Sequence, residues 1–332
     1  MFDDYNKHDV AVYGGYIDDE TKLLQSSSGG LATALSEFFL EQGGYVAGVA
    51  YSKDFYKAEY TIIHNISELG RLKGSKYVDC DKNNIYSDVK ELINSGEKVL
   101  FFGLPCVVAA LYSILGSRPE NLLTCELICH GPTYPQVHYD YIKFLEKKYK
   151  SKIVDFSVRR KKDSWTPSYM YAEFENGEIF TKRFYQTEYG IAFGVLGKDA
   201  CYDCKFKGNN RQGDIMLGDF WGATEKDIFW NKYGVSSIFA QTDRGNDFLK
   251  STPNIRLFST TFERIVENNK MVINSKKRNK DRDRFLKLLS KKGLIYAANH
   301  YTGFKGDVRK VISKVIPKKH KLLLKKVLKT MS

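Results

Sequence analysis

The sequence has no long apolar run. Its longest stretches, such as Val99 to Phe102, fall far short of the ~20 residues that a membrane span requires. The first residues, Met1-Phe-Asp-Asp-Tyr5, are acidic and lack the basic start and apolar stretch of a secretory signal. The cytoplasm is therefore the expected compartment. No segment repeats, which argues against a solenoid. Neither a Walker loop nor a G-x-G-x-x-G fingerprint occurs, so the two most familiar nucleotide cradles are excluded. Cysteine is scarce: the 332 residues hold six, none before Cys80. That number in a cytosolic chain of this size does not suggest a disulfide scaffold. Only one Cys-x-x-Cys is present, and a zinc ribbon needs a second some 15–20 residues on.

What is present is an ordinary globular composition. Hydrophobic residues are 42% and charged residues 27%, which rules out wholesale disorder. A chain of this length buries a sizeable core and sets a soft expectation of two domains. The net charge of +13 is unevenly placed. Residues 276–332 hold 19 Lys and Arg against 3 Asp and Glu, leaving the body slightly acidic. The basic character belongs to the end of the chain and does not describe the surface around a site.

The pattern along the chain predicts an α/β fold. Its sheet should be mostly parallel at the core, with added antiparallel strands and a basic helical tail. Leu31 to Leu40 reads as a buried helix after Ser26-Ser-Ser-Gly-Gly30, and Gly43-Gly44 ends it. Strands are expected at Tyr45–Tyr51, Tyr60–His64, Lys98–Phe102 and Leu122–Ile128, with helices at Ile85–Asn94 and Val107–Leu115 between them. Gln136 to Tyr149 is a helix. Beyond it Ile153–Val158, Tyr169–Glu175 and Glu178–Phe184 read as strands, and Asn176-Gly177 signals a type I′ hairpin. Three segments follow: an α/β half over 1–150, an α+β half over 151–275, and a basic tail over 276–332.

The sharpest chemical signal is Cys201-Tyr-Asp-Cys204. Two thiolates at this spacing hold one metal ion or two corners of an iron–sulfur cluster. They are half a site, so the other ligands must come from afar. Cys106 and Cys129 are the best candidates. Each follows an apolar strand at a turn, in Gly103-Leu-Pro-Cys106 and Ile128-Cys-His-Gly131. Carboxyl ends of parallel strands are where α/β sheets place their sites. Cys106 also opens a helix, whose dipole favours a thiolate. The bland alternative is that both are small buried hydrophobes. Cys80 and Cys125 read as structural. The turn Ser26-Ser27-Ser28-Gly29-Gly30 suits a phosphate or a flavin diphosphate, or is simply a serine cap with a glycine turn. The segment from Arg211 through Asp214 to Asp219-Phe-Trp-Gly222 reads as a cofactor wall, with Arg211 holding an anionic group, or as an Arg211–Asp214 pair beside a core Trp.

With these residues laid out, the chain resembles the coenzyme F420 hydrogenase/dehydrogenase beta-subunit family, including bacterial members associated with polysaccharide gene clusters. The matching stretches are Ser26–Gly30, Gly74-Ser-Lys-Tyr77, Val99–Cys106, Ile128–Gly131, Cys201-Tyr-Asp-Cys-Lys-Phe-Lys207 and Asp214–Gly222. They span about residues 10–225 in the family's order. The resemblance implies an iron–sulfur flavoprotein oxidoreductase subunit with FAD. Cys106, Cys129, Cys201 and Cys204 would ligate one 4Fe–4S cluster. Ser27, Ser28, Gly29, Gly30 and Lys76 would lie on the flavin side, with Arg211, Asp214 and Asp219. His130 is a candidate to move a proton. Two departures stand out. No cysteine precedes Cys80, so electrons are expected from a separate ferredoxin or ferredoxin-domain donor. Leu104 and Val107 replace the usual Thr and Gln beside the cysteine, removing a hydroxyl and an amide. The acceptor would be a small organic molecule. The rival reading is a non-enzymatic, zinc-stapled scaffold that docks at a membrane.

In the tail, Val308, Val311, Ile312, Val315 and Ile316 make an apolar helical stripe. Pro317 should break it, and Leu323, Leu324, Val327 and Leu328 make a second. The lysines between them suit an anionic membrane surface, which would place the chain peripherally on the inner membrane face, or they are the solvated face of a helix packed on the body. Nucleic acid is disfavoured because no aromatic residue follows Phe304 to stack on bases. The full chain should therefore sediment with anionic vesicles at low salt and release as salt rises. A form ending at Phe304 should stay in the supernatant. If both stay there, the tail is no anchor.

Overall fold

The computed structural model describes residues 10–208 and 211–303. The chain opens with β1 (Ala11–Ile17), α1 (Glu20–Gln25), α2 (Leu31–Glu41), β2 (Tyr45–Tyr51) and β3 (Ala58–Ile63). There follow α3 (Ile85–Asn94), β4 (Val99–Gly103), α4 (Pro105–Leu115), β5 (Leu122–Leu127) and α5 (Pro135–Tyr149). Next come β6 (Ile153–Arg160), β7 (Tyr169–Phe174), β8 (Ile179–Arg183) and α6 (Glu188–Val195). The last elements are β9 (Ile215–Asp219), β10 (Ser236–Ala240), α7 (Asp243–Ser251), β11 (Ile255–Ser259), α8 (Phe262–Asn268) and α9 (Arg282–His300). The expected helical stripes from Val308 to Leu328 lie outside the described residues.

One eight-stranded sheet dominates, in the order β11-β1-β10-β9-β5-β4-β2-β3. Its centre, β2-β4-β5-β9, is parallel. Antiparallel strands close both sides. This is the expected α/β architecture of a mostly parallel core with added antiparallel strands. The central strands are covered on both faces, which is why they read as continuous apolar runs rather than alternating ones. Val99, Leu100 and Phe101 of β4 have no exposed surface. On one face Leu31, Leu35 and Phe39 of α2 pack against Leu100 and Ile215. On the other, Val107, Val108 and Leu111 of α4 pack against Phe101 and Leu122.

A second, three-stranded antiparallel sheet, β6-β7-β8, carries its own core. Phe156 and Phe174 meet Tyr141 of α5, Tyr189 of α6 and Phe285 of α9 there. Its hairpin corrects one expectation. Type I′ needs positive φ at both central residues, but here only Gly177 is left-handed, at φ +80°. The loop is longer by a residue: the Phe174 amide bonds the Glu178 carbonyl, and the Gly177 amide bonds Phe174.

The small sheet begins just past residue 150, but the chain then returns. β9, β10 and β11 join β1 to β5 in the large sheet, so that sheet is built from both sides of the boundary. The return is bolted at the amino end of β9. There the fully buried Asp214 accepts bonds from the Thr124 amide (2.9 Å) and hydroxyl (2.8 Å). Arg244 Nε (2.7 Å) and the Thr242 hydroxyl (2.9 Å) donate to its other oxygen. Asp214 is thus a structural tie, and its partner is Arg244 rather than Arg211. Removing one member of a buried charged network leaves the rest uncompensated. Asp214→Ala should cost about 3–5 kcal/mol, read as a lowered urea midpoint.

Candidate functional site

The parallel strands end level with one another. Leu127 of β5 faces Leu217 of β9, and Asp219, two residues on, faces Ser236 of β10. Along this carboxyl edge runs a cleft of about 350 Å³ that reaches from Tyr60 on β3 to Ser236 on β10. That volume is in the range of small-molecule sites, and the position is the one α/β sheets favour. The amino ends of α2 and α4 point into the same region.

The turn before α2 forms one lip. Ser26, Ser27, Ser28 and Gly30 line the cleft with the first turn of the helix. The hydroxyls mostly hold the turn in shape. Ser26 bonds Thr33 (2.8 Å), and Ser28, itself at φ +50°, donates to the Val235 carbonyl (2.9 Å). Gly30 caps α2 with φ +78° and offers no side chain, so the helix's positive end faces the cleft bare. Gly29 does not line the cleft. Its amide donates to the Ser236 hydroxyl, and a Cβ there would stand 2.3 Å from the Gly15 carbonyl oxygen. Gly29 is required by the close approach of β1.

Ser27 reaches across to Ser75 (2.9 Å) on the opposite lip, beside Lys76. The Lys76 ammonium donates to the carbonyls of Leu72 (3.0 Å) and Lys73 (2.8 Å) and lies 5.7 Å from the Tyr51 ring centre. Burial pulls its pKa down to about 7. Asp219 also lines the cleft and is held by Arg159 through two bonds of 2.9 and 2.7 Å. Trp221 supplies an aromatic wall, stacked on Trp165 at 4.6 Å. Its neighbour Phe220 is in the core. Arg211 is not at the cleft. It donates to the Val272 carbonyl (2.7 Å) and sits beside Glu126, whose carboxyl is pushed up by burial.

At the cleft's end the four cysteines converge. Cys106 is the second residue of α4, Cys129 lies just past β5, and Cys201 and Cys204 come from the turn after α6. Gly131, at φ +80°, stands between two of them. Its amide donates to Cys129 Sγ (3.2 Å), and a Cβ on it would lie 3.4 Å from Cys201 Sγ. The protein packed around Cys106 and then the other three thiols push it up to about 11, although the residue itself keeps an exposed face. Burial likewise raises Cys129 and Cys201, each with repulsion from neighbouring thiols added. Among the described residues no three His, Cys, Asp or Glu side chains stand close enough to share a single ion. His130 lines the cleft beside Cys129. Enclosure, Lys207 and Lys276 hold its imidazole below the usual value. Cys125 is buried in β5, away from this group. Cys80 lines the cleft's far end while packing against the core.

Sequence reasoning missed Arg159, Tyr185, Phe193 and Asn269, which also line the cleft. Arg159 follows buried Val158 on a strand of the small sheet, and nothing local marks it as reaching the large one.

Lys161, also pulled down to about 7 by burial, ties the small sheet to the serine turn by donating to Leu23 and Ser28 carbonyls. Both lysines bind protons less readily folded than unfolded. From about pH 7 up to the ordinary lysine value of ~10.4, the unfolded chain holds more protons, so these two groups make stability rise with pH. NMR of ¹³C-methylated lysines should show two midpoints near pH 7, one lost in Lys76→Met and the other in Lys161→Met. Two variants with every lysine near the ordinary value would refute the assignment.

Two family models match, both described as coenzyme F420 hydrogenase/dehydrogenase, beta subunit. The model of the N-terminal part covers residues 12–84, and the model of the C-terminal part covers residues 96–260. No curated protein matches. Among solved structures, a chain of the F420-reducing NiFe hydrogenase complex from Methanosarcina barkeri is similar over 90% of this chain and 92% of that one. The TM-score is 0.52 and the identity 16%, a likeness of fold. Among the described residues no helix is long and apolar enough to cross a membrane. The chain belongs to the coenzyme F420 hydrogenase/dehydrogenase beta-subunit family, a family of oxidoreductase subunits.

Proposed function

We propose that this chain is an iron–sulfur flavoprotein subunit, with FAD in the cleft and one 4Fe–4S cluster on Cys106, Cys129, Cys201 and Cys204. The observation that carries this reading is the meeting of two features at one turn. Cys129 belongs both to the cleft wall and to the group of four thiols, and Gly131, also on the wall, packs against Cys201. The donor set fits the group. Four soft thiols suit iron–sulfur ligation, and their mutual repulsion is a cost that a bound cationic core relieves.

When bound, a flavin exchanges single electrons with a cluster and electron pairs with an organic molecule. The chain's residues hold and orient. The bare amino end of α2 and the Lys76 ammonium suit the anionic part of the cofactor. Trp221 and Phe193 exclude water from its ring. His130, on the cleft wall beside Cys129, is placed to accept a proton at an imidazole nitrogen. A ferredoxin or ferredoxin-domain protein is the proposed donor, and a small organic molecule the acceptor. A link to polysaccharide assembly rests on the resemblance alone.

Protein purified without oxygen should be brown and contain iron, sulfide and flavin. Cys201→Ser and Cys204→Ser should each lose most of the iron, since a hydroxyl poorly replaces a thiolate. Cys80→Ser should keep it. Colourless protein carrying zinc, or equal iron loss in all three variants, would overturn the reading.

A further inference from the structure

The stretch Cys201–Lys207 ends on a lysine that the cysteine chemistry does not use. Lys207 turns back toward the cysteines, and its ammonium donates to the carbonyls of Cys129 (2.7 Å) and Met271 (2.5 Å). A second lysine approaches from the other side. Lys276 Nζ donates to the carbonyls of Phe193 (2.9 Å) and Leu196 (2.5 Å), and its own amide donates to the Cys201 carbonyl (3.2 Å). Its side chain also packs on Gly131, the residue between Cys129 and Cys201.

Both ammonium groups are part-buried. Among the described residues, neither has a carboxylate within ion-pair distance. Other cations nearby are paired. Lys198 reaches Asp79, Lys205 reaches Asp203, and Arg278 and Arg282 reach Asp199 and Asp283. A part-buried cation without an anion is costly. Burial lowers the pKa of both lysines; Cys129 and Cys201 act against it, with Cys204 adding to their effect on Lys207 and Arg211 opposing it there.

We propose that Lys207 and Lys276 are the built-in counter-cations of an anionic metal–thiolate centre on the four cysteines, and that they raise its reduction potential. This inference rests on the cluster reading above. Four thiolates bring more negative charge than an iron–sulfide core offsets. One-electron reduction adds another negative charge, taken from the donor, with no bond made or broken. Two fixed cations in a part-buried setting favour the reduced form. They act on the centre through its charge without ligating it, so they are positioning residues.

The test is a redox titration of the purified holoprotein, followed by EPR with dithionite as reductant, alongside iron and sulfide analysis. Lys207→Met and Lys276→Met should each make reduction at least tenfold less favourable, 59 mV for one electron. Lys207→Arg and Lys276→Arg should titrate close to wild type. Loss of iron in the Met variants alone, with iron kept in both Arg variants, would also support the proposal, because the centre would then depend on the charge. Full iron and an unchanged potential in both Met variants would overturn it. So would equal iron loss in Met and Arg variants, which would make the lysines mere clamps on carbonyls. Wild-type protein without iron and sulfide would instead remove the cluster reading itself.

Discussion

The ion pair between Arg159 and Asp219 is the joint on which the cleft depends. Arg159 belongs to β6 of the small sheet, and Asp219 ends β9 of the large one. Their side chains are only 9% and 15% exposed, and two hydrogen bonds fix the angle between them. Breaking such a pair strands a charge with little water to solvate it, so neither side chain can leave cheaply. Lys161, two residues further along, makes the second tie by donating to the Ser28 carbonyl. The small sheet and the helices packed on it are thereby held against the cleft. Tyr185 and Phe193, which follow that sheet in the chain, become cleft walls as a result. The site is a product of two sheets, and its shape follows from one salt bridge.

The cysteine group has the opposite energetics. The Gly131 amide and the nearby lysines favour the thiolates of Cys129 and Cys201, but burial outweighs them. Burial and mutual repulsion raise the pKa of Cys106, Cys129 and Cys201. A fold tolerates that arrangement when surrounding structure over-determines it. Here Cys129 and Cys106 are fixed by strand ends in the packed sheet. Cys201 and Cys204 are fixed through Lys276, whose amide bonds the Cys201 carbonyl, and through Ser275, whose hydroxyl takes the Cys204 amide (2.9 Å). Conflict paid for by scaffold is the signature of a site rather than of a core.

Much of this was legible in the sequence. The apolar runs of β4 and β5 were visible because buried parallel strands need no polar face. The turns after them were therefore correctly seen as strand ends, and so were Cys106 and Cys129. What was hidden has physical causes. β1 escaped notice because Gly14 and Gly15 break its strand signal. A Cβ on Gly15 would stand 2.6 Å from the Arg256 carbonyl oxygen of β11, and one on Gly14 would stand 3.0 Å from the Phe220 ring. With β1 unseen, Gly29 looked like a ligand contact instead of a packing contact. Arg159 was invisible because its partner lies 60 residues away on another sheet.

The segment from Asp214 to Asp219 shows most plainly where sequence reasoning stops. Both acids flank one apolar strand, and by pattern they are equivalent. A strand is a direction as well as a pattern, however. Five residues at ~3.3 Å each separate the two α-carbons by roughly 16 Å along the strand. β9 runs parallel to β5, so its carboxyl end shares an edge with Cys129 and its amino end lies at the opposite edge. That single fact sends Asp219 into the cleft and Asp214 into a buried network with Arg244 and Thr124. The choice between parallel and antiparallel pairing is made by the whole sheet. Once it is made, chemistry and stability separate to the two ends of the same strand, where each can change without disturbing the other.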